Sequence, residues 1–141
     1  MRPSPGKALR FSLILSHNLA LYLGDSLLKD IPTVLLSFDK HDPKNADLGG
    51  SWQLRSPLIM LHGLFGSKSN YRTIAKELAL RLDRLVYCPD LRNFGQSPHA
   101  KRLDYPSLAA DVEYFIEQQN FKSKPIILGH CMGAKTAMAV A

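Results

Sequence analysis

Gly129-His130-Cys131-Met132-Gly133 has the spacing glycine, any residue, nucleophile, any residue, glycine, with a cysteine in the middle place. It follows the apolar run Pro125 to Leu128 and precedes "MGAKTAMAVA", which reads as the start of a helix. In that context the spacing makes a sharp strand-to-helix turn. Gly129 and Gly133 would let strand and helix approach closely, and Cys131 would stand up at a helix N-terminus. There the helix dipole favours negative charge, so Cys131 is a candidate nucleophile. The amide N–H of Met132 would point at the oxyanion forming on an attacked carbonyl. The competing reading is that Cys131 is a small buried hydrophobe, as cysteines often are.

Two further loops carry polar residues of the right kind. His62-Gly63-Leu64-Phe65-Gly66 follows the apolar run Leu58 to Leu61. Its glycines allow a fold in which the Leu64 N–H becomes a second oxyanion donor, while His62 is expected to make a structural hydrogen bond. Asp90-Leu91-Arg92-Asn93-Phe94-Gly95-Gln96-Ser97 follows the run Leu85 to Cys88. Asp90 and Arg92 could pair there and shape the rim of a pocket. Asp90 could also serve as the acid of a triad, but turn aspartates more often organise their own turn, and that is the expectation. His99 and His130 are the nearest candidate bases. Neighbours on a tight elbow point different ways, so His130 is expected to be structural.

The elements that must position these loops are legible as alternating periods. "TVLLSF", residues 33–38, reads as a strand, followed by a polar loop from Asp39 to Gly50. Short continuous apolar runs such as Leu58 to Leu61 mark strands buried on both faces of a parallel sheet. Between them, Tyr71, Ile74, Ala75, Leu78 and Leu82 have helical spacing, with Ser69 or Asn70 as a cap. Leu108, Val112, Phe115 and Ile116 form the face of a second helix, with Pro106 near its start. The predicted order is β, then β-α-β-α-β-α: a parallel sheet with helices on both faces. Chemistry in such sheets sits beyond the carboxyl ends of the strands, where all three loops fall.

Composition excludes several classes. With 141 residues, 45% hydrophobic and 21% charged, the chain can bury one core, and disorder is not expected. The net charge of +6 is scattered, and the longest basic run is Lys101-Arg102, so nucleic acid is not an expected partner. Cys88 and Cys131 are too few for a disulfide framework, and no pair has zinc-ligand spacing, so no metal site is expected. No apolar run is long enough to span a membrane. Residues 1–24 differ from the rest. They carry Arg2, Lys7 and Arg10 with several serines, and the first acid is Asp25. That pattern predicts a mitochondrial targeting segment; a secretory signal, or a frayed terminus on a cytoplasmic protein, are the alternatives.

"PLIMLHGLFGSKSNYRTIAKEL", "DLRNFGQSPH", "DVEYFIEQ" and "PIILGHCMGAKTAMAVA" resemble the α/β-hydrolase superfamily. Within it they resemble the mitochondrial abhydrolase-domain group, which includes yeast alcohol (ethanol) acetyltransferases and related esterases. "SFDKHDP" resembles that group's first strand and the loop after it. The likeness runs from residue 31 to residue 141, implying a partial α/β-hydrolase domain that ends just after the elbow. It implies an acyl-enzyme that passes its acyl group from an ester or thioester to an alcohol or water. Acetyl-CoA would be a substrate, and no metal or redox cofactor is implied.

Two departures matter. Cys131 stands where the family has serine, and Ala134 where it has glycine. The family's acid and histidine follow the nucleophile, whereas residues 132–141 contain neither. The expectation is therefore a family-level acyltransferase, esterase or thioesterase that is inactive as this 141-residue chain. The competing readings are a non-catalytic remnant or partner of a full-length paralogue, and a thiol hydrolase of the dienelactone-hydrolase type.

Overall fold

The computed structural model describes residues 30–43 and 51–141. The expected targeting segment, residues 1–24, and the end of the polar loop lie outside the described residues. Among the described residues four strands form one sheet: β1 (Phe38–His41), β2 (Leu58–Leu61), β3 (Val86–Pro89) and β4 (Ile126–Gly129). Among the described residues three α-helices follow in turn: α1 (Arg72–Leu82) between β2 and β3, α2 (Tyr105–Gln119) between β3 and β4, and α3 (Met132–Val140) after β4.

The strand order is β1-β3-β2-β4. β2 pairs in parallel with β3 and β4, as the alternating pattern predicts. β1 runs antiparallel to β3, so the sheet is mixed rather than wholly parallel. The first strand also lies later than its apolar sequence suggests. Pairing with β3 begins at Phe38, with Ser37 O still accepting the Asp90 N–H at 2.8 Å; before that, backbone donors of "TVLLSF" go to side chains. Val34 N–H bonds to Asp111 Oδ1 at 2.8 Å and Ser37 N–H to Ser97 Oγ at 2.9 Å.

Each face of the sheet buries alternate residues of β2 and β3. Leu58, Met60, Val86 and Cys88 meet Ala75 and Ala79 of α1. Ile59, Leu61 and Tyr87 meet Leu108, Val112 and Phe115 of α2 and Met132 of α3. The face predicted for α2 is observed. On α1, Ala75 is buried, and Leu78 and, just before the helix, Tyr71 pack against the same cluster as predicted; Ala79 joins them, while Ile74 and Leu82 are exposed. The start of α1 also differs from expectation. Ser67 caps a short 3-10 turn, Lys68–Tyr71, and its N–H bonds to Asn70 Oδ1 at 2.7 Å.

Candidate active site

Gly129 and Gly133 are held by contact rather than by turn preference. A Cβ on Gly129 would lie 2.3 Å from the Gly133 carbonyl oxygen, and one on Gly133 would lie 2.3 Å from that of Leu61. His130 N–H bonds to Leu61 O at 3.0 Å, keeping the end of β4 in register with β2. The chain must then turn at once into α3. Cys131 takes the strain, with φ 55° and ψ −114°, a conformation that costs of order 1–3 kcal/mol outside glycine. Its carbonyl accepts from Ala134 N–H and Lys135 N–H, and its side chain is exposed. Met132 opens α3, where a backbone N–H has no acceptor inside the helix, and its side chain is buried in the core.

The turn after β2 lies against this elbow. Gly66 N–H closes onto Gly63 O at 3.0 Å, with Phe65 at φ 60° in the third position. A Cβ on Gly63 would come within 3.0 Å of His130 Nδ1 and 3.1 Å of Cys131 Cβ. Glycine is therefore what lets the turn approach the elbow. The Leu64 and Phe65 side chains are both exposed at its tip.

His62 is structural. Its Nε2 accepts the Leu91 N–H at 2.9 Å, so its proton sits on Nδ1, which faces Gly63 O at 2.8 Å. Burial holds its pKa below the usual imidazole value, against the opposing pull of the Gly63 carbonyl and Asp90. Both ring nitrogens are thus committed. His99 is exposed on the loop after β3.

Asp90 and Arg92 do not pair with each other, contrary to expectation. Asp90 Oδ1 accepts the Lys68 N–H at 2.6 Å; Oδ2 accepts the Gln96 N–H at 2.8 Å and the Lys68 ammonium at 3.1 Å. Burial alone would raise the Asp90 pKa. The Gln96 and Lys68 backbone donors, with the Lys68 ammonium, outweigh it and leave the carboxyl below its usual range. Lys68 Nζ also donates to Ser37 Oγ and Gln96 Oε1. Arg92 turns the other way and forms a two-pronged, fully buried pair with Asp111 of α2, Nη2 to Oδ1 at 2.6 Å.

Lys68 and Asp111 had no part in the sequence reading. Asp111 carried a signal: it sits on the apolar face of α2 between Leu108 and Val112, where an acid needs a buried partner. Cys88 is buried, and desolvation pushes its thiol up to about 12, so Cys131 is the accessible sulfur. A cavity of about 260 Å³ lined by Trp52, Tyr87 and Phe121 opens at the amino ends of β2 and β3, the end away from Cys131. Among the described residues no helix is long and apolar enough to cross a membrane.

A family model described as alpha/beta hydrolase fold matches residues 56–141. A probable alcohol acetyltransferase of Saccharomyces cerevisiae is 42% identical over 129 residues, covering 90% of this chain and 36% of that protein. Ethanol acetyltransferase 1 of Hanseniaspora uvarum is 38% identical over 107 residues, 75% of this chain and 32% of its own. The sn-1-specific diacylglycerol lipase ABHD11 of Xenopus laevis is 45% identical over 106 residues, 75% of this chain and 31% of its own. Among solved structures, a marine microorganism esterase superposes with a TM-score of 0.64 at 42% identity, covering 77% of this chain and 36% of that one. The chain spans about a third of the length of the curated relatives it matches.

Proposed function

The chain belongs to the α/β-hydrolase family, and on that premise we propose that its site takes an acyl group from an ester or thioester onto Cys131. In this reading the Cys131 thiolate attacks the carbonyl carbon. The Leu64 and Met132 N–H groups receive the oxyanion, and the leaving alkoxide or thiolate departs with the bonding electrons. The thiol's proton goes to solvent. Small alcohols or water are the acceptors, and acyl esters or acetyl-CoA the donors. The names of the acetyltransferase and esterase relatives support that substrate class. The carrying observation is the strained, exposed Cys131 at the start of α3 beside the Gly63 turn.

The second half of the cycle needs a base to activate the acceptor, worth roughly 100- to 10,000-fold. His62 is committed to Leu91 and Gly63, and among the described residues neither His99 nor His130 hydrogen-bonds to the Cys131 thiol. The 141-residue polypeptide should therefore acylate once and stop. With p-nitrophenyl acetate it should release one equivalent of p-nitrophenol, and Cys131→Ala should abolish that burst. No burst from the folded wild-type chain would refute the acyl-enzyme reading. Location is part of the same proposal: the basic segment of residues 1–24 directs the chain to mitochondria. Equal cytosolic signal from tagged forms with and without that segment would refute it.

A further inference from the structure

The turn that carries Leu64 is held at both ends by two consecutive residues of the loop after β3. At one end His62 Nε2 accepts the Leu91 N–H at 2.9 Å. At the other, Asp90 Oδ1 accepts the Lys68 N–H at 2.6 Å, and Oδ2 takes the Lys68 ammonium. The carboxylate is itself fixed, because Gln96 N–H bonds to Oδ2 and Gly95, at φ +55°, wraps closely around it. A Cβ on Gly95 would fall 2.3 Å from the Asp90 carboxyl carbon.

We propose that Asp90 is a positioning residue: by clamping Lys68 to the loop after β3 it holds the Leu64 amide where an oxyanion on a Cys131-bound acyl group forms. This rests on the reading of Leu64 as an oxyanion donor. Such a donor must lie about 2.7–3.1 Å from the oxyanion, and losing one costs on the order of 100-fold. The turn is closed internally by the Gly66 N–H to Gly63 O bond, has exposed side chains at its tip, and is tied to the rest of the fold at its ends. Asp90 touches neither substrate nor sulfur, and its effect passes through the backbone of residues 63–68.

Two thiol reactions separate positioning from stability. Acylation of Cys131 by p-nitrophenyl acetate passes through an oxyanion; alkylation by iodoacetamide is a direct displacement that forms none. The ratio of their rates cancels thiolate fraction and access. It is read on the Cys131 peptide by mass spectrometry, in the 141-residue chain and in the same chain unfolded in urea. Folding should raise the ratio about tenfold or more. Asp90→Asn, and separately Gly95→Ala, should return it most of the way to the unfolded value while alkylation stays within about twofold of wild type and the variant keeps a cooperative urea-unfolding transition. Gly95→Ala keeps the carboxylate and only displaces it, so it tests placement rather than charge. A ratio unchanged in both variants overturns the proposal, and so does a parallel fall in both reactions. A wild-type ratio no higher folded than unfolded overturns the oxyanion reading itself, and the proposal with it.

Discussion

The loops after β2 and β3 and the elbow after β4 are built in opposite ways. β2 and β3 are buried along their whole length, and their loops are tied by buried side chains: His62 to Leu91, Asp90 to Lys68, Arg92 to Asp111. β4 alternates between half-buried and exposed, with Ile126 at 48% and Leu128 at 45% exposure on the side of the sheet facing away from α2 and α3. Its elbow is shaped by backbone: two glycines in contact with carbonyls and one strained cysteine. A residue that must stay outward cannot be fixed by packing its own side chain. The strain is instead imposed by what surrounds it, and the two pinned loops supply part of that surround.

The largest expected effect breaks the pinned side. Asp111→Ala leaves Arg92 buried without its partner and frees Val34, which should cost about 3–5 kcal/mol in thermal or urea unfolding. Breaking the elbow should cost a comparable amount. Gly133→Ala forces a Cβ against the Leu61 and His62 backbone carbonyls, an overpacking of about 3 kcal/mol or more. A smaller and graded effect follows from pH. The Asp90 pKa is lowered in the folded state, so its contribution is complete above the ordinary aspartate value of about 4 and is lost as pH falls through the lower folded value. In acid titrations Asp90→Asn should flatten that part of the stability curve. The smallest effect lies on the open face of β4. Leu128→Thr should change stability by about 0.5 kcal/mol or less while raising solubility, because that side chain is half exposed. A loss as large as that of Asp111→Ala would mean that this face is packed.

What was readable in the sequence follows the same division. Runs such as Leu58–Leu61 and Leu85–Cys88 announce buried parallel strands, and the glycine spacing announces the elbow, because both depend on local sterics. His62 and Asp90 were legible as structural because turn residues tend to satisfy their own loops. The Lys68–Asp90 and Arg92–Asp111 partners were not, since each joins residues 19 or 22 apart that only the folded crossovers bring together. β1 was misplaced because the apolar stretch before it looks like a strand, whereas its backbone donors are used by Asp111 and Ser97. The exposure of β4 was equally hidden: Ile126 and Leu128 are the same residue types as those of β2, and only their neighbours differ.

The elbow is proposed to present Cys131 for acylation, and among the described residues no histidine or carboxylate hydrogen-bonds to its thiol to serve as a base. The lifetime of the acyl group on Cys131, followed by mass spectrometry after removing excess p-nitrophenyl acetate, tests that proposal most directly. The adduct should persist as long as the same thioester on the urea-unfolded chain, and adding ethanol should not shorten its life. Rapid loss of the adduct with matching formation of ethyl acetate would show that a base acts within these residues, and would contradict the account.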